Sequence, residues 1–326
     1  MRKVLHVGPC NTPGGMATVM HTLAQHPPDG WKADLLASHA PGNVWTKWRV
    51  YRRAKAELKR RCASPDERPD VVHVHAASDW SLRRKLRLLR TVRRFEVPAV
   101  LHHHSGQLAA WMGPADGKRA EQHRVSVAEL GLHQAVLSEE WKRLLAPVLG
   151  PVEAVVNPVG PKYAPGEHAR DTNHVLVLGR DDPVKGHGFA EEVVARLVEN
   201  RPDVRLSMTG RERSSLPFVQ PLGWVSEEKK LELLQTATVL LLPSSVEGQP
   251  LVVLEALACG LPVITPQRLH SLPEGTVRAG PSVEDWVQAV EGVMDGSLQT
   301  QVNLDDHRVA AVAQRWGALY ASWLKD

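Results

Sequence analysis

The segment VLLLPSSVEGQPLVVLEALACGLPVIT, residues 239–265, decides the fold. It predicts an apolar strand over 239–242, a loop ending at Gly248, a helix over about 250–258 and a second apolar strand over 262–265. Proline at the start of the helix and Gly260 just after its end follow the usual preference of these residues for helix termini. A strand, a helix and a strand in this order are typical of a parallel α/β sheet.

Two carboxylates in this segment, Glu247 and Glu255, lie eight positions apart. The first precedes the predicted helix and the second lies two turns inside it. The amide groups at a helix N-terminus bind anions well. Carboxylates beside such a terminus can bind the hydroxyl groups of a ligand whose phosphate groups are bound by the amides. A sugar nucleotide has both kinds of group.

The segment resembles the motif of family 4 of the retaining glycosyltransferases (glycosyl transferases group 1), which have the GT-B fold. The family pattern is roughly E-G-F-P-x-x-x-x-E-A-x-A-x-G-x-P-V, and Gln249 departs from it at a position that is usually apolar. The resemblance implies an α/β protein with two Rossmann-like domains, whose parallel sheets face each other across a cleft. It also implies a C-terminal helix that crosses back to the N-terminal domain.

Strands and helices alternate through both halves of the chain, as expected for two parallel sheets. We predict an N-terminal acceptor domain over 1–160, a C-terminal nucleotide-sugar domain over 161–305 and a returning helix over 306–326. The proline-rich and glycine-rich stretch 157–166 is the predicted hinge.

The bulk composition is that of an ordinary globular chain of 326 residues with 43% apolar residues. Its three cysteines are widely spaced, which indicates neither a disulfide framework nor a zinc motif. The apolar run near Met1 is too short for a signal peptide, and no run is long enough to span a membrane. These features predict a cytoplasmic protein, either free or peripheral on the inner face of the cytoplasmic membrane.

Positive charge is concentrated in the N-terminal half, with 25 Lys and Arg against 14 Asp and Glu over residues 1–165. The basic segments 47–61 and 82–94 dominate, and the second has the apolar spacing of an amphipathic helix. A solvated face is one interpretation, and binding to nucleic acid lacks any supporting motif. Because many members of the resembled family modify lipid-linked acceptors, an anionic membrane surface is the third interpretation.

A second motif follows the predicted strand over 174–179, in the sequence Gly179-Arg180-Asp-Asp-Pro-Val-Lys185-Gly186. A guanidinium and an ammonium group together neutralise a diphosphate, although two cations in a loop are also common without any ligand. The motif matches the family pattern G-R-x-x-x-x-K-G, which implies that Arg180 and Lys185 bind the donor diphosphate. This implies an enzyme that requires no metal ion or other cofactor.

The resemblance implies further contacts with the donor. A Gly-Gly pair follows the first strand at Gly14 and Gly15, although a purely structural turn explains it equally well. Glu247 is implied to contact the transferred sugar and Glu255 the ribose. The other donor-binding residues that we predict are Gly210, Trp224, Val225, Gly248, Gln249, Pro250 and Leu251.

Histidines end two of the predicted strands, in Val-Val-His73-Val-His75 and in His102-His103-His104. Alternation places His102 and His104 on one face of their strand and His103 on the other. The sequence shows no third convergent ligand, so we predict no metal site. The resemblance aligns His104 with a family histidine that faces the donor sugar, with His102 as the alternative.

The prediction is therefore a retaining hexosyltransferase that moves a hexose or N-acetylhexosamine from a nucleoside diphosphate sugar to a hydroxyl of a glycan or lipid-linked acceptor, as in cell-envelope glycan synthesis. Glu247, His104, Arg180 and Lys185 are its predicted catalytic residues. A GT-B nucleotide-sugar epimerase or hydrolase, or a non-catalytic sugar-nucleotide-binding protein, is the alternative. The missing glycine fingerprint disfavours a nicotinamide oxidoreductase.

Overall fold

The chain divides into two α/β units, each built on a parallel sheet. The computed structural model describes residues 1–167, 169–298 and 301–324. Unit 1 comprises Met1–Pro158 together with the segment that begins at Asp306, and unit 2 comprises Val159–Asp305.

Unit 1 alternates strands and helices in chain order. The strands are β1 (Arg2–Gly8), β2 (Trp31–Ala37), β3 (Val71–Ala76), β4 (Ala99–His103), β5 (Leu132–Val136) and β6 (Glu153–Ala154). The helices before residue 158 are α1 (Gly15–Gln25), α2 (Val44–Ala63), α3 (Asp79–Arg93), α4 (Leu108–Met112), α5 (Lys118–Leu130) and α6 (Glu139–Leu149). The described strands form one parallel sheet in the order β2-β1-β3-β4-β5-β6.

Unit 2 repeats the alternation. Its strands are β7 (His174–Val177), β8 (Arg205–Thr209), β9 (Val219–Gly223), β10 (Val239–Leu241), β11 (Val263–Pro266) and β12 (Val277–Ala279). Its helices are α7 (His187–Asn200), α8 (Glu227–Thr236), α9 (Leu251–Ala258) and α10 (Val283–Met294). The described strands are parallel in the order β9-β8-β7-β10-β11-β12. The predicted succession over 239–265 is therefore confirmed as β10, α9 and β11.

Each sheet contains a point at which the direction of winding reverses. In unit 1 it lies between β1 and β3, and in unit 2 it lies between β7 and β10. The loops that leave two such strands diverge, so a crevice forms at the carboxyl ends of the strands, where open α/β sheets bind their ligands. The fold thus identifies one candidate ligand site in each unit before any side chain is considered.

Apolar side chains cover both faces of the unit 2 sheet. Leu176 and Leu240 belong to one buried cluster, whereas their neighbours Val175, Val177 and Val239 belong to another. Successive residues of a strand point to opposite faces, and a strand buried on both faces is apolar at every position. The continuous apolar runs in the sequence therefore mark central strands.

The last helix, α11 (Val309–Trp323), is part of unit 1. Its buried aromatic residues Trp316 and Tyr320 pack on the sheet, and the Tyr320 hydroxyl lies 2.6 Å from His73 Nδ1 on β3. Trp31 at the start of β2 contacts the same tyrosine, with ring centroids 5.0 Å apart. Trp316 also contacts His102 on β4, so the helix packs on β2, β3 and β4.

Three elements were not predicted from the sequence: α4, α6 and β12. Helix α6 carries Pro147 in its last turn, which weakens the helical pattern. Its N-terminal signal was present, because Ser138 accepts a hydrogen bond from Trp141 N at 3.1 Å. The strand β12 has three residues, too few to show a period. No helix within the described residues is long and apolar enough to cross a membrane.

The basic helix α3 buries one of its cations. Lys85 is 3% exposed, and its ammonium group donates to Ser38 Oγ just after β2. Burial and the nearby Arg84 lower the pKa of Lys85 to about 7. A buried ammonium group with a hydroxyl partner costs folding free energy for as long as it stays charged.

We expect Lys85→Met to stabilise the chain most below pH 7, by up to about 5 kcal/mol since one pKa unit is worth about 1.4 kcal/mol. The unfolded chain holds the proton up to a higher pH than the folded chain does, so wild-type stability rises from about pH 7 to about pH 10. The gain should therefore shrink over that interval. Urea unfolding at pH 6 and pH 10 measures it.

The exposed Lys59→Met on α2 is the control for this experiment and should have the same small effect at both pH values. A gain from Lys85→Met that does not change with pH would contradict the account of Lys85.

Candidate functional site

An ion pair joins the two loops at the winding reversal of unit 2. Lys185 lies in the loop after β7, and its Nζ is 2.6 Å from Oε1 of Glu247 in the loop after β10. The side chains are 24% and 11% exposed, respectively. The sequence predicted both residues as donor-binding, and the structure places them in contact.

Backbone contacts fix the relative position of these two loops. Gly186 has φ +71°, and a Cβ at this residue would lie 2.7 Å from the carbonyl oxygen of Pro243. Ser245 N donates to Val184 O at 2.8 Å. Only glycine allows this approach without strain, so Gly186 is required for Lys185 to reach Glu247.

Glu255 is buried in α9 and has a cationic partner that the sequence did not reveal. It is 4% exposed, and its Oε1 lies 3.1 Å from Nζ of Lys230 on α8. Lys230 also contacts Glu227 at 3.0 Å, and the Tyr163 hydroxyl donates to Glu227 at 3.0 Å. Although burial opposes ionisation, Lys162 and Lys230 lower the pKa of Glu227 to about 2. Lys230 belongs to no motif, so no sequence signal identified it.

Arg180 is exposed at the start of the loop after β7. Within the described part of the chain its guanidinium group makes no ion pair or side-chain hydrogen bond. The next residue, Asp181, pairs with Arg211 Nε at 3.1 Å instead. An unpaired guanidinium near Lys185 leaves a positive charge for an anionic ligand.

The predicted nucleobase loop lies close to the carboxyl ends of β8 and β9. Gly210 N donates to Gly223 O at 2.8 Å. Trp224 follows and is 67% exposed, while Val225 is half-buried. Exposure of this indole agrees with a stacking surface rather than with a packing role.

The residues around the N-terminus of α9 differ in exposure. Gly248 and Leu251 are partly exposed, whereas Pro250 is buried and flanks the helix start. Gln249 is 7% exposed, and its Nε2 lies 3.4 Å from both Ser271 O and Ser271 Oγ. The polar residue that departs from the family pattern therefore has polar partners in the interior.

In unit 1, the predicted pair Gly14 and Gly15 lies in the loop between β1 and α1 and is exposed. Gly14 has φ +140° and precedes the first residue of α1. The loop and α1 follow β1, which is one of the two strands at the winding reversal of this sheet. Their predicted contact with donor phosphate stays a prediction.

The three histidines at the end of β4 alternate as predicted. His103 turns to one side, where it lies 3.2 Å from Gln134 Oε1. The rings of His102 and His104 lie on the other side with centroids 4.1 Å apart. His104 Nε2 lies 2.9 Å from His75 Nδ1, and burial lowers the pKa of His104 to about 3. The predicted role of His104 in holding the sugar stays a prediction.

The expectation that no third histidine converges on these strands is wrong. Five imidazoles from three neighbouring strands cluster under α11, and we call them the histidine face: His6, His73, His75, His102 and His104. Each is neutral, because burial lowers every one of their pKa values far below the ordinary range. The sequence held the signal, since histidines occur in three strands that this strand order makes adjacent.

Comparison with known proteins agrees with the sequence-based assignment. Residues 172–295 match the family model of glycosyl transferases group 1. The glycogen synthase of Mycobacterium tuberculosis (strain ATCC 25618 / H37Rv) is 27% identical over 292 residues, which cover 81% of this chain and 68% of that protein. The resemblance to glycosyl transferases group 1 is therefore confirmed, while family 4 and retention at the anomeric carbon stay predictions.

Solved structures share the fold along the whole chain. The sucrose-phosphate synthase of Thermosynechococcus elongatus superposes with a TM-score of 0.74 at 15% identity and 100% coverage of both chains. The catalytic domain of starch synthase IV from Arabidopsis thaliana, bound to ADP and acarbose, gives a TM-score of 0.66 at 11% identity, again with 100% coverage of both. The predicted GT-B fold class is confirmed.

We expect Gly210→Ala to destabilise the chain by about 2 kcal/mol or more, as strained backbone positions do. Gly210 has φ +82°, and a Cβ would lie 2.5 Å from both Asp181 N and Gly179 O. Urea unfolding measures the loss. Gly188→Ala is the matched control, because a Cβ there meets nothing within 4 Å. Equal stability of the two variants would contradict the account.

Proposed function

We propose that this chain, which matches glycosyl transferases group 1 over residues 172–295, is a retaining hexosyltransferase. Its donor is a nucleoside diphosphate sugar that carries a hexose or N-acetylhexosamine, and its acceptor is a hydroxyl group. The observation that carries the proposal is the contact between Lys185 and Glu247 at the winding reversal of unit 2. An α/β sheet binds its ligand at this point, and the pair there has the charges that a sugar diphosphate needs.

The cations act on the diphosphate. Negative charge grows on the leaving nucleoside diphosphate as the bond between the anomeric carbon and the phosphate oxygen breaks. Arg180 and Lys185 stabilise this charge without a metal ion. Lys185 exchanges its carboxylate partner for phosphate when the donor binds. The new bond joins the anomeric carbon to the acceptor oxygen, and the acceptor proton passes to the leaving phosphate.

The carboxylates act on hydroxyl groups. Once Lys185 turns to phosphate, Glu247 is free to accept hydrogen bonds from the transferred sugar. Glu255 is held by Lys230 at the buried side of α9 and accepts from the ribose. A carboxylate with one cationic partner retains acceptor capacity for a ligand. Trp224 offers its exposed ring to the base.

A nucleoside diphosphate should stabilise the wild-type chain, and Lys185→Ala should weaken its binding by about 10-fold to 100-fold, the usual value of one charge-assisted hydrogen bond. The measurement is isothermal titration calorimetry with UDP, ADP and GDP, each alone and as its sugar. Glu247→Gln should weaken binding of the sugar nucleotide more than binding of the free nucleotide, because the proposed contact of the Glu247 carboxylate is with the sugar alone.

Lys229→Ala is the matched control for this experiment, since Lys229 is an exposed cation on α8 that pairs with Glu232. It should bind like the wild type. Absence of binding by every nucleotide, or equal losses for Lys185→Ala and Lys229→Ala, would contradict the proposed donor site. Free sugar as the only product of turnover, with no transfer to any acceptor, would favour the hydrolase alternative.

We further propose that the acceptor is a glycan or a lipid-linked molecule at an anionic membrane surface on the cytoplasmic side. Helices α2 and α3 lie side by side in unit 1 and carry the basic segments. Trp45, Trp48 and Trp80 are 75%, 49% and 66% exposed on them. Arg52 lies over the Trp48 ring at 4.9 Å. Exposed indoles flanked by arginine are suited to the headgroup region of a bilayer.

We expect the chain to sediment with vesicles that contain phosphatidylglycerol and not with vesicles of phosphatidylcholine alone. Trp45→Ala combined with Trp48→Ala should reduce the bound fraction several-fold, because the indoles supply the apolar part of the contact. Trp224→Ala removes an indole of similar exposure from unit 2 and should leave binding unchanged. Equal binding to both vesicle types would contradict the membrane proposal.

A further inference from the structure

The histidine face extends over β1, β3 and the end of β4, and β1 and β3 are the two strands at the winding reversal of unit 1. His6 on β1 is opposite His73 on β3, and His75 on β3 is opposite His102 on β4. Four of the five histidines are at most 2% exposed: His6, His73, His75 and His102. His104 is half-buried, so the cluster reaches the surface on its side.

We infer that His75, His102 and His104 form a binding site for a zinc-like transition-metal ion in unit 1. One ring nitrogen from each of the three lies within 4.8 Å of the other two. Two nitrogens bound to one tetrahedral zinc ion are about 3.3 Å apart, as follows from bond lengths of about 2.0 to 2.1 Å. His75 Nδ1 and His104 Nε2 already lie 2.9 Å apart. The two pairs that include His102 lie within 4.8 Å, so side-chain movements must bring those nitrogens closer by up to about 1.5 Å for coordination.

The second ring nitrogen of two of these ligands is already held by a neighbouring histidine. His75 Nε2 lies 3.0 Å from His6 Nδ1, and His102 Nδ1 lies 3.1 Å from His73 Nε2. His73 in turn contacts the Tyr320 hydroxyl. One consistent set of tautomers runs through these contacts: His75 donates through Nε2 and His102 through Nδ1. His75 Nδ1 then accepts from His104 Nε2, so His104 must carry its proton on Nδ1 instead when both nitrogens bind the ion. Metal-binding histidines have this kind of support.

A buried atom without a partner supports the same assignment. His102 is 1% exposed, and its Nε2 makes no hydrogen bond within the described residues. Buried polar side chains in native proteins nearly always have a partner. A neutral imidazole that donates a hydrogen bond through Nδ1 keeps a lone pair on Nε2. This lone pair can bind a metal ion. The three histidines supply nitrogen only, which suits zinc, nickel or copper better than magnesium or calcium.

The three ligands belong to unit 1, whereas the proposed diphosphate cations Arg180 and Lys185 belong to unit 2. An open zinc site has three protein ligands, such as three histidines, and a fourth position that is occupied by water. The ion and the transferred sugar, which the resemblance assigns to His104, would then compete for this side chain.

Metal uptake by the tag-free chain tests the inference without any sugar nucleotide, so its outcome is independent of the proposed transferase activity. The chain is freed of metal with a chelator, mixed with one equivalent of Zn²⁺ or Co²⁺, and desalted. We expect about one ion per chain by mass spectrometry of the metal. Bound Co²⁺ should show the intense visible absorption of tetrahedral cobalt. Absence of uptake by the wild type would overturn the inference.

Two buried histidines of the same sheet form the matched pair of variants. His75→Gln removes a ligand and should weaken metal binding by more than about 100-fold, beyond the loss typical for a supporting residue. His103→Gln changes a neighbour of two ligands that turns to the opposite face, and should retain the ion. Equal affinity of the two variants would show adventitious binding by other histidines and overturn the assignment.

If His75→Gln fails to fold, as judged by circular dichroism, His104→Gln replaces it as the test variant, because His104 is only half-buried. It should lose the ion while the melting temperature without metal stays near that of the wild type. Retention of tetrahedral cobalt absorption in this variant would contradict the assigned ligand set.

Discussion

The contact between Lys185 and Glu247 is the interaction on which the functional account depends. A partly buried ion pair adds little to stability once its desolvation is counted. The backbone hydrogen bond from Ser245 N to Val184 O, which the close approach at Gly186 permits, joins the two loops independently of the charges. The pair is therefore poised to open when a ligand supplies phosphate for the lysine and hydroxyl groups for the carboxylate.

The two units follow the same topological rule and fill the resulting crevice with opposite chemistry. Unit 2 places cations and carboxylates there, both partly open to solvent. Unit 1 has neutral imidazoles on the strands at and beside its reversal, and aromatic residues of α11 contact two of them, His73 and His102. Burial explains the difference, since a charged imidazolium among four other imidazoles is much less stable than the neutral form. We propose accordingly that the histidine face binds a cation and that the unit 2 loops bind an anion.

The residues of the proposed donor site could be selected from sequence because their motifs are local. Arg180, Lys185, Glu247 and Glu255 each lie in short segments whose glycines and prolines fix the backbone nearby. Lys230 and the histidine face were not predictable in the same way. Lys230 reaches Glu255 from another helix, and His6 meets His75 only after β1 and β3, which are not consecutive strands, have paired. Such contacts depend on tertiary structure, which residue spacing along the chain does not encode.

Crystallography of the chain with a bound nucleoside diphosphate tests the central claim most directly. The account predicts the diphosphate between Arg180 and Lys185, the Lys185 ammonium group moved from Glu247 to a phosphate oxygen, and the ribose next to Glu255. A nucleotide bound away from the carboxyl ends of β7 and β10, or bound there with the ion pair of Lys185 and Glu247 unchanged, would contradict it.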